Sequence, residues 1–176
     1  MIDATLLPIS DGLRTLRPLS VHDAERYAAG TRDPLVRKYG HLPEPEYTPE
    51  TVARLAADVV PRGLRTGDLA VLGIADEADA FLGSLVLFDV TDTTAEVGFW
   101  LHPDARGRGH SAAALELAAA LAARSGLGEL TARTATGNLS SQRCLERSGF
   151  HRTGVDVDRT PSGARVELAH YRRQLE

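Results

Sequence analysis

Apolar positions recur at helical spacing early in the chain and give way to short, β-rich runs from Leu69 onward. Ser20, Val21, His22 and Asp23 read as a capping box, with the Ser20 hydroxyl facing the amide of Asp23, and predict a helix that fades near Asp33 and Pro34. Thr48 before Pro49 and Glu50 starts a second helix, whose stripe of Val52, Leu55, Ala56 and Val59 runs until Pro61 stops it. Residues 69–75 (LAVLGIA), 81–89 (FLGSLVLFD) and 95–102 (AEVGFWLH), separated by acidic turns, predict consecutive antiparallel strands. Residues 111–124 (SAAALELAAALAAR) form helix strongly and end at Ser125 and Gly126, with glycine in the C-terminal capping position. A strand over 129–135, a short helix over 140–149 and two final strands over 150–158 and 166–175, around the turn Thr160-Pro161-Ser162-Gly163, complete the pattern. The order is mixed, so the fold class is α/β, in its α+β form. Without a repeat, a low-complexity linker or a break in composition, residues 1–176 read as a single domain.

The 176 residues, 43% apolar and 25% charged, fit one ordinary core. No long uncharged apolar run is present to span a membrane as a helix, and Asp3 and Asp11 stand where a secretory leader needs basic residues, so a cytoplasmic location is expected. The single cysteine, Cys144, excludes an internal disulfide and a thiolate metal cluster. A net charge of -4 argues against nucleic acid as the main partner, since phosphate binding needs a concentrated positive field. All basic residues but Lys38 are arginine, which reads as a bias of composition rather than a binding device.

The first segment with chemical content is Asp104-Ala105-Arg106-Gly107-Arg108-Gly109-His110-Ser111, between the strand ending at His102 and the helix beginning near Ser111. Gly107 and Gly109 carry no side chain to keep a ligand from the backbone, so successive amides can converge on phosphate oxygens at the positive end of the helix. A flexible basic turn is the competing reading. No Gly-Lys-Ser/Thr follows, and the third glycine of a dinucleotide fingerprint is missing, which removes support from nucleotide hydrolysis and hydride transfer.

Arg106-Gly107-Arg108-Gly109-His110-Ser111 resembles the pyrophosphate-binding motif of the GNAT N-acetyltransferases, Gln/Arg-x-x-Gly-x-Gly/Ala, with Ser111 standing where Gly or Ala is usual. Asn138-Leu139-Ser140-Ser141 followed by Glu146-Arg147-Ser148-Gly149-Phe150 is similar to that family's Asn-x-x-Ser/Ala … Gly-Phe segment, and residues 16–39 look like the opening of its RimJ/RimL-type branch, whose members acetylate protein N-terminal amines. The resemblance covers nearly the whole chain. It implies a GNAT fold: a central, mostly antiparallel mixed sheet flanked by helices, in which strands 95–102 and 129–135 run side by side and splay apart to admit acetyl-CoA. In the family the pantetheine arm pairs with the first of those strands, which implicates Phe99, Trp100 and Leu101. The loop, Arg106, Gly107, Arg108, Gly109, His110, Ser111 and Ala112, would hold the pyrophosphate. Gly98 suits a close approach of backbone to ligand, or simply strand packing.

Acetyl transfer to an amine needs a base for the amine proton and a proton or hydrogen bond for the departing thiolate. Strand alternation puts Glu96, Gly98 and Trp100 on one face, so Glu96 shares a side with the expected ligand site. It is the candidate base; a solvated polar residue on a half-buried strand is the alternative. Family members often place a Tyr on the helix after the Asn as acid, but here Leu145 occupies that position, and Ser141 is the replacement candidate, unless it only caps the helix. Asn138 reads either as a ligand of the pantetheine or as a cap. Cys144 has no neighbouring His in sequence and reads as a small buried hydrophobe, which favours direct transfer over an acyl-enzyme. The six histidines show no i,i+4 helical pair and no cysteine partners, so no metal is implied.

The N-terminal helices, the Pro-rich stretch from Tyr39 to Tyr47 and the closing hairpin would form the acceptor site, with Glu44 and Glu46 either attracting a cationic amine or merely solvated. An α-amine, with a pKa of about 7.7–8.0, asks less of a base than a lysine at about 10.4. The reading is an acetyl-CoA-dependent N-acetyltransferase acting on a protein or peptide N-terminal α-amine. Its rivals are a small-molecule amine acetyltransferase (polyamine, amino acid or aminoglycoside) and a non-catalytic acyl-CoA sensor. A homodimer is compatible with the pattern, which leaves oligomeric state open.

Overall fold

In the computed structural model, which describes residues 1–160 and 162–176, two short strands precede the first helix. β1 (Ile9–Ser10) and β2 (Arg14–Pro18) turn around Asp11, whose carboxylate accepts the N–H groups of Leu13 and Arg14. The capping box forms: the Asp23 carboxylate accepts the Ser20 N–H at 2.9 Å, and a 3-10 turn (Val21–Asp23) passes into α1 (Ala24–Thr31). The chain does not stay irregular beyond this helix. Asp33 accepts the N–H groups of Leu35 and Val36 and, with Pro34 in the first turn, starts α2 (Pro34–Tyr39).

Pro61, expected to stop the second helix, lies within it. α3 (Pro49–Arg54) relaxes into a π-helical turn (Leu55–Val59), the Val60 N–H reaches back to the Leu55 carbonyl, and α4 (Val60–Thr66) restarts with Pro61 in its first turn. Pro61 has no N–H to continue the ladder, and it stands where the π-helical turn gives way to α4.

The expected meander follows as β3 (Ala70–Asp76), β4 (Phe81–Phe88) and β5 (Thr94–Leu101). Then come α5 (His110–Arg124), β6 (Glu129–Ala135), α6 (Leu139–Arg147), β7 (His151–Arg159) and β8 (Arg165–Gln174). Pro161, within the turn expected between the last two strands, lies outside the described residues. The strands form one eight-stranded sheet in the order β1-β2-β3-β4-β5-β6-β8-β7, antiparallel except between β5 and β6. Leu115 and Leu121 of α5 are fully buried against a core that includes Leu72, Leu85, Val97 and Leu130. On the opposite face Tyr27, Phe81 and Trp100 cluster, with Tyr27 edge-on to Trp100 at 5.0 Å between centroids. No helix among the described residues is long and apolar enough to cross a membrane.

One detail of register positions the site. β5 and β6 pair only from Thr94 to Glu96 against Glu129 to Thr131, and past that point each runs on, to Leu101 and to Ala135, without the other. This is the splay that the resemblance implied. Gly83 of β4 supports the free end of β5: a Cβ there would lie 2.9 Å from Leu101 Cα and nearer still to the Trp100 carbonyl oxygen. Backbone atoms cannot give way as a flexible side chain can. Gly83→Ala should therefore cost about 1–3 kcal/mol and lower the calorimetric melting temperature by roughly 3–10 °C; unchanged melting would show that the β4–β5 spacing is not so constrained.

Candidate active site

β5 ends at Leu101, a 3-10 turn (Pro103–Ala105) follows, and the chain enters the glycine-rich loop at the open end of the splay. Gly107 and Gly109 have φ of 76° and 78°, the left-handed region in which glycine alone is unstrained. Gly109 is the N-cap of α5 and brings no side-chain cap; Ala113, at 3.1 Å from the Gly109 carbonyl, is the first residue whose N–H closes a helical bond there. The amides of His110, Ser111 and Ala112 are thus left at the positive end of a long helix. Space beside the glycines is open: nothing lies within 4 Å of where a Gly107 Cβ would be, and beside Gly109 only the Arg14 guanidinium comes to 4.0 Å. A Cβ would occupy this cradle, and its donor set suits a pyrophosphate.

The side chains around the loop divide their work. Arg106 turns inward, its guanidinium 2.6 Å from Asp33 and 3.3 Å from the Leu101 carbonyl, and so ties the loop to α2 and to the end of β5. Burial, reinforced by the charges of Arg14 and Arg108, pushes the His110 imidazole below its usual pKa. His110 Nδ1 and Arg14 Nε are buried without a hydrogen-bond partner. Arg14 was not singled out from sequence; it arrives from β2, remote in the chain, and no local motif announces it.

A cavity of about 720 Å³ runs through the splay toward the N-terminal helices, and no residue of the 106–112 loop lines it. Its walls include Glu96, Gly98, Phe99 and Trp100 of β5, Arg133 of β6, and Asn138, Ser141 and Leu145 around α6. Leu101 is not among them. Tyr39, His41, Glu44 and Tyr47 also line it, as do Thr160 and Leu168 of the closing hairpin, which are the segments from which the sequence builds an acceptor site. Glu46 instead faces a neighbouring hollow of about 290 Å³. His41 holds a positive φ of 46°, and its Nε2 is buried without a partner.

The Glu96 side chain is only 12% exposed, and both its oxygens accept the Arg133 Nε–H, at 2.9 and 3.0 Å. Burial pushes the Glu96 carboxyl up and Arg133 pulls it down; burial wins, so it titrates above the usual glutamate value. Arg133 in turn donates to Asp158 at 2.7 Å. Neither Arg133 nor Asp158 was singled out from sequence, because 37 residues separate Arg133 from Glu96 and 25 separate it from Asp158. Asn138 Oδ1 accepts the Ser141 N–H at 3.3 Å, so Asn138 caps α6, and the Ser141 side chain stands in the first turn of that helix, facing the same cavity. Cys144 is half-buried, lies away from the cavity walls and has its thiol pushed up by burial, the reverse of an activated nucleophile. Asp156, Asp158 and His170 bring ligand-type atoms within 4.8 Å of one another across β7 and β8, a juxtaposition that linear spacing does not show. These groups are already engaged: His170 Nε2 lies 3.0 Å from Asp156, and Arg133 holds Asp158.

The profile of the acetyltransferase (GNAT) domain family matches residues 14–151. No curated protein sequence matches significantly. Among solved structures, RimJ of Mycobacterium smegmatis in complex with CoA-disulfide superposes with a TM-score of 0.75 at 22% identity, covering 92% of this chain and 81% of that one. An acetyltransferase from Salmonella typhimurium, described as modifying the N-terminal serine of ribosomal protein L7/L12, gives 0.80 at 16% identity over 97% and 99% of the chains. Spermidine N-acetyltransferase from Vibrio cholerae, in complex with CoA and spermine, gives 0.76 at 15% identity over 93% and 96%. With an amide-lined cradle, a splay between two parallel strands and a family profile spanning most of its length, the chain belongs to the GNAT acetyltransferases, enzymes that use acetyl-CoA as acetyl donor.

Proposed function

We propose that residues 1–176 act as one domain that transfers an acetyl group directly to the α-amine of a protein or peptide N-terminus. The observation that carries this reading is the placement of Glu96: a buried carboxylate at the neck of the splay, in one cavity with the first turn of α6 and with the walls supplied by the N-terminal helices and the final hairpin. Acetyl-CoA supplies the activated acyl group as a thioester. The 106–112 loop holds its pyrophosphate through the amides at the start of α5, with Arg106 fixing the loop rather than reaching outward. The β5 backbone over Phe99, Trp100 and Leu101 is the stretch open to the pantetheine arm where β6 has moved away, with the Leu101 carbonyl already accepting from Arg106. Glu96 takes the amine proton, directly or through a water.

Ser141 hydrogen-bonds the departing thiolate at the start of α6. Its contribution is small, because a thiol with a pKa of about 8.5 leaves as thiolate near neutral pH without much help. Ser141→Ala should lower kcat by less than about tenfold, measured by thiol release at saturating substrates; a loss approaching that of Glu96 variants would make Ser141 an obligatory acid.

An N-terminal α-amine is supported by its higher neutral fraction at pH 7 and by the RimJ and L7/L12-modifying neighbours in fold. A small polyamine is the second reading, favoured by the carboxylates of Glu44, Asp58 and Glu96 along the cavity and by the spermidine-acetylating neighbour. The deciding experiment offers acetyl-CoA with peptides of varied N-terminal residue, N-terminally blocked lysine peptides, spermidine and an aminoglycoside, and locates the acetyl group by mass spectrometry. Acetylation of unblocked peptides at the α-nitrogen is expected; turnover confined to spermidine or the aminoglycoside overturns this choice of acceptor.

A further inference from the structure

Resting on the assignment of Glu96 as base, we propose that Arg133 is a positioning residue for that base and that Asp158 aims it. The three side chains form a carboxylate–guanidinium–carboxylate chain across β5, β6 and β7 that ties the acceptor wall to the reacting end of the site. Arg133 lies two positions beyond Thr131, the last residue of β6 paired with β5, so it stands where the backbones have begun to separate. Its Nε–H is shared by the two Glu96 oxygens and its Nη1 is 2.7 Å from Asp158, with a longer contact of 3.4 Å to the Arg159 carbonyl. A guanidinium is a planar, rigid fork, so fixing one edge on Asp158 fixes the direction of the other. Glu96, which lines the cavity, is thereby held at one angle.

The arrangement also sets the charge of the site. A carboxyl 12% exposed in an apolar cleft tends to keep its proton, and a protonated glutamic acid is no base. Arg133 from β6 opposes that tendency, aided by His170 from β8, while Asp89 from the β4–β5 turn acts against it; Asp158 from β7 offsets part of the guanidinium charge. Arg54, Asp58 and Glu44 line the same cavity from the N-terminal side. Asp158 is the penultimate residue of β7, and the hairpin it leads into contributes Thr160 and Leu168 to the acceptor wall. The chain of contacts therefore runs from the wall that meets the acceptor to the group that deprotonates it.

A staple across the splay that only stabilises the sheet would make the same contacts, so the test must separate the two. Wild type, Arg133→Gln, Arg133→Lys, Asp158→Asn and Glu96→Gln would be compared by carbon-13 NMR titration of glutamate carboxyl groups, with Glu96→Gln assigning the Glu96 signal. Each would also be assayed for turnover of acetyl-CoA with an unblocked octapeptide and with spermidine, and for thermal melting. Arg133→Gln is expected to move the Glu96 titration up by at least about one pH unit and to lower kcat about 10–100-fold, with KM for acetyl-CoA within about threefold. Arg133→Lys keeps the charge but not the fork, so it should return the titration to within about half a unit of wild type while regaining only part of kcat. Asp158→Asn should give a loss of threefold or more in kcat without an upward move. An unmoved Glu96 titration in a folded Arg133→Gln protein, or wild-type kcat in that variant, overturns the positioning role; wild-type kcat in Asp158→Asn removes Asp158 from it. Wild-type turnover in Glu96→Gln, or wild-type silence with both acceptors, instead overturns the functional reading on which the proposal rests.

Discussion

Glu96→Gln should lower kcat by about 10²–10⁴-fold while the dissociation constant for acetyl-CoA changes by no more than about twofold. The substitution keeps the shape of the side chain and a hydrogen-bond acceptor for Arg133 but removes the proton-accepting oxygen. In the proposed site coenzyme affinity is insulated, because the start of α5, where the anionic end would be held, lies beyond the far end of β5 from Glu96. The pH dependence follows from the same burial. The Glu96 carboxyl titrates above the usual range, and the protonated form is inactive, so wild-type turnover is lost on acidification at a higher pH than an exposed glutamate would give. Stopped-flow thiol detection measures kcat, and calorimetric titration measures affinity; equal kcat in wild type and variant would remove Glu96 from the chemistry.

Gly109→Trp should weaken acetyl-CoA binding at least about 100-fold, since losing two charge-assisted amide contacts at about 1.5–3 kcal/mol each already exceeds two factors of ten. Two effects act together. A non-glycine residue at φ of 78° costs about 1–2 kcal/mol, and the indole would fill the open space into which the loop amides point. That space is exposed to solvent, so the circular dichroism spectrum should stay that of the wild type. Undiminished affinity in a folded Gly109→Trp protein would place the pyrophosphate elsewhere.

The parts of this architecture that local sequence dictates were legible before any coordinates. The β3–β5 meander shows as β-rich runs between acidic turns, α5 as an alanine-rich block closed by Gly126, and the left-handed bend ahead of α5 as Gly107 and Gly109. Other parts depend on tertiary context. β1 has two residues and β2 buries only Leu16, too little apolar surface to make a period; β2 is held by pairing with β3, and β1 by pairing with β2. Pro61 reads as a terminator unless a π-helical turn has already shifted the hydrogen-bond ladder by one residue. α2 depends on the Asp33 carboxylate, which also receives Arg106 from the glycine-rich loop, so its formation and the loop's position are coupled through one side chain.

The candidate site divides along the same line. Alternation along β5 puts Glu96, Gly98 and Trp100 on one face; all three line the cavity, and so do Val97 and Phe99 between them. What holds Glu96 was not legible: Arg133 meets it through the parallel pairing of β5 with β6, and Asp158 joins through β8 and β7, whose order in the sheet reverses their order in the chain. Such contacts carry no sequence period. Ser141 and Asn138, by contrast, sit three residues apart at the start of a helix, and their cap bond is a local matter.

The most direct test of direct acetyl transfer is the rate at which free CoA thiol appears from acetyl-CoA, with and without an unblocked peptide, in wild type and in Glu96→Gln. Release that requires the peptide, yields equal amounts of thiol and N-acetylated product and disappears in the variant is the predicted result. No amine-dependent release with any acceptor, from a protein whose melting temperature acetyl-CoA still raises, would contradict it and leave a chain that binds the coenzyme without turning it over.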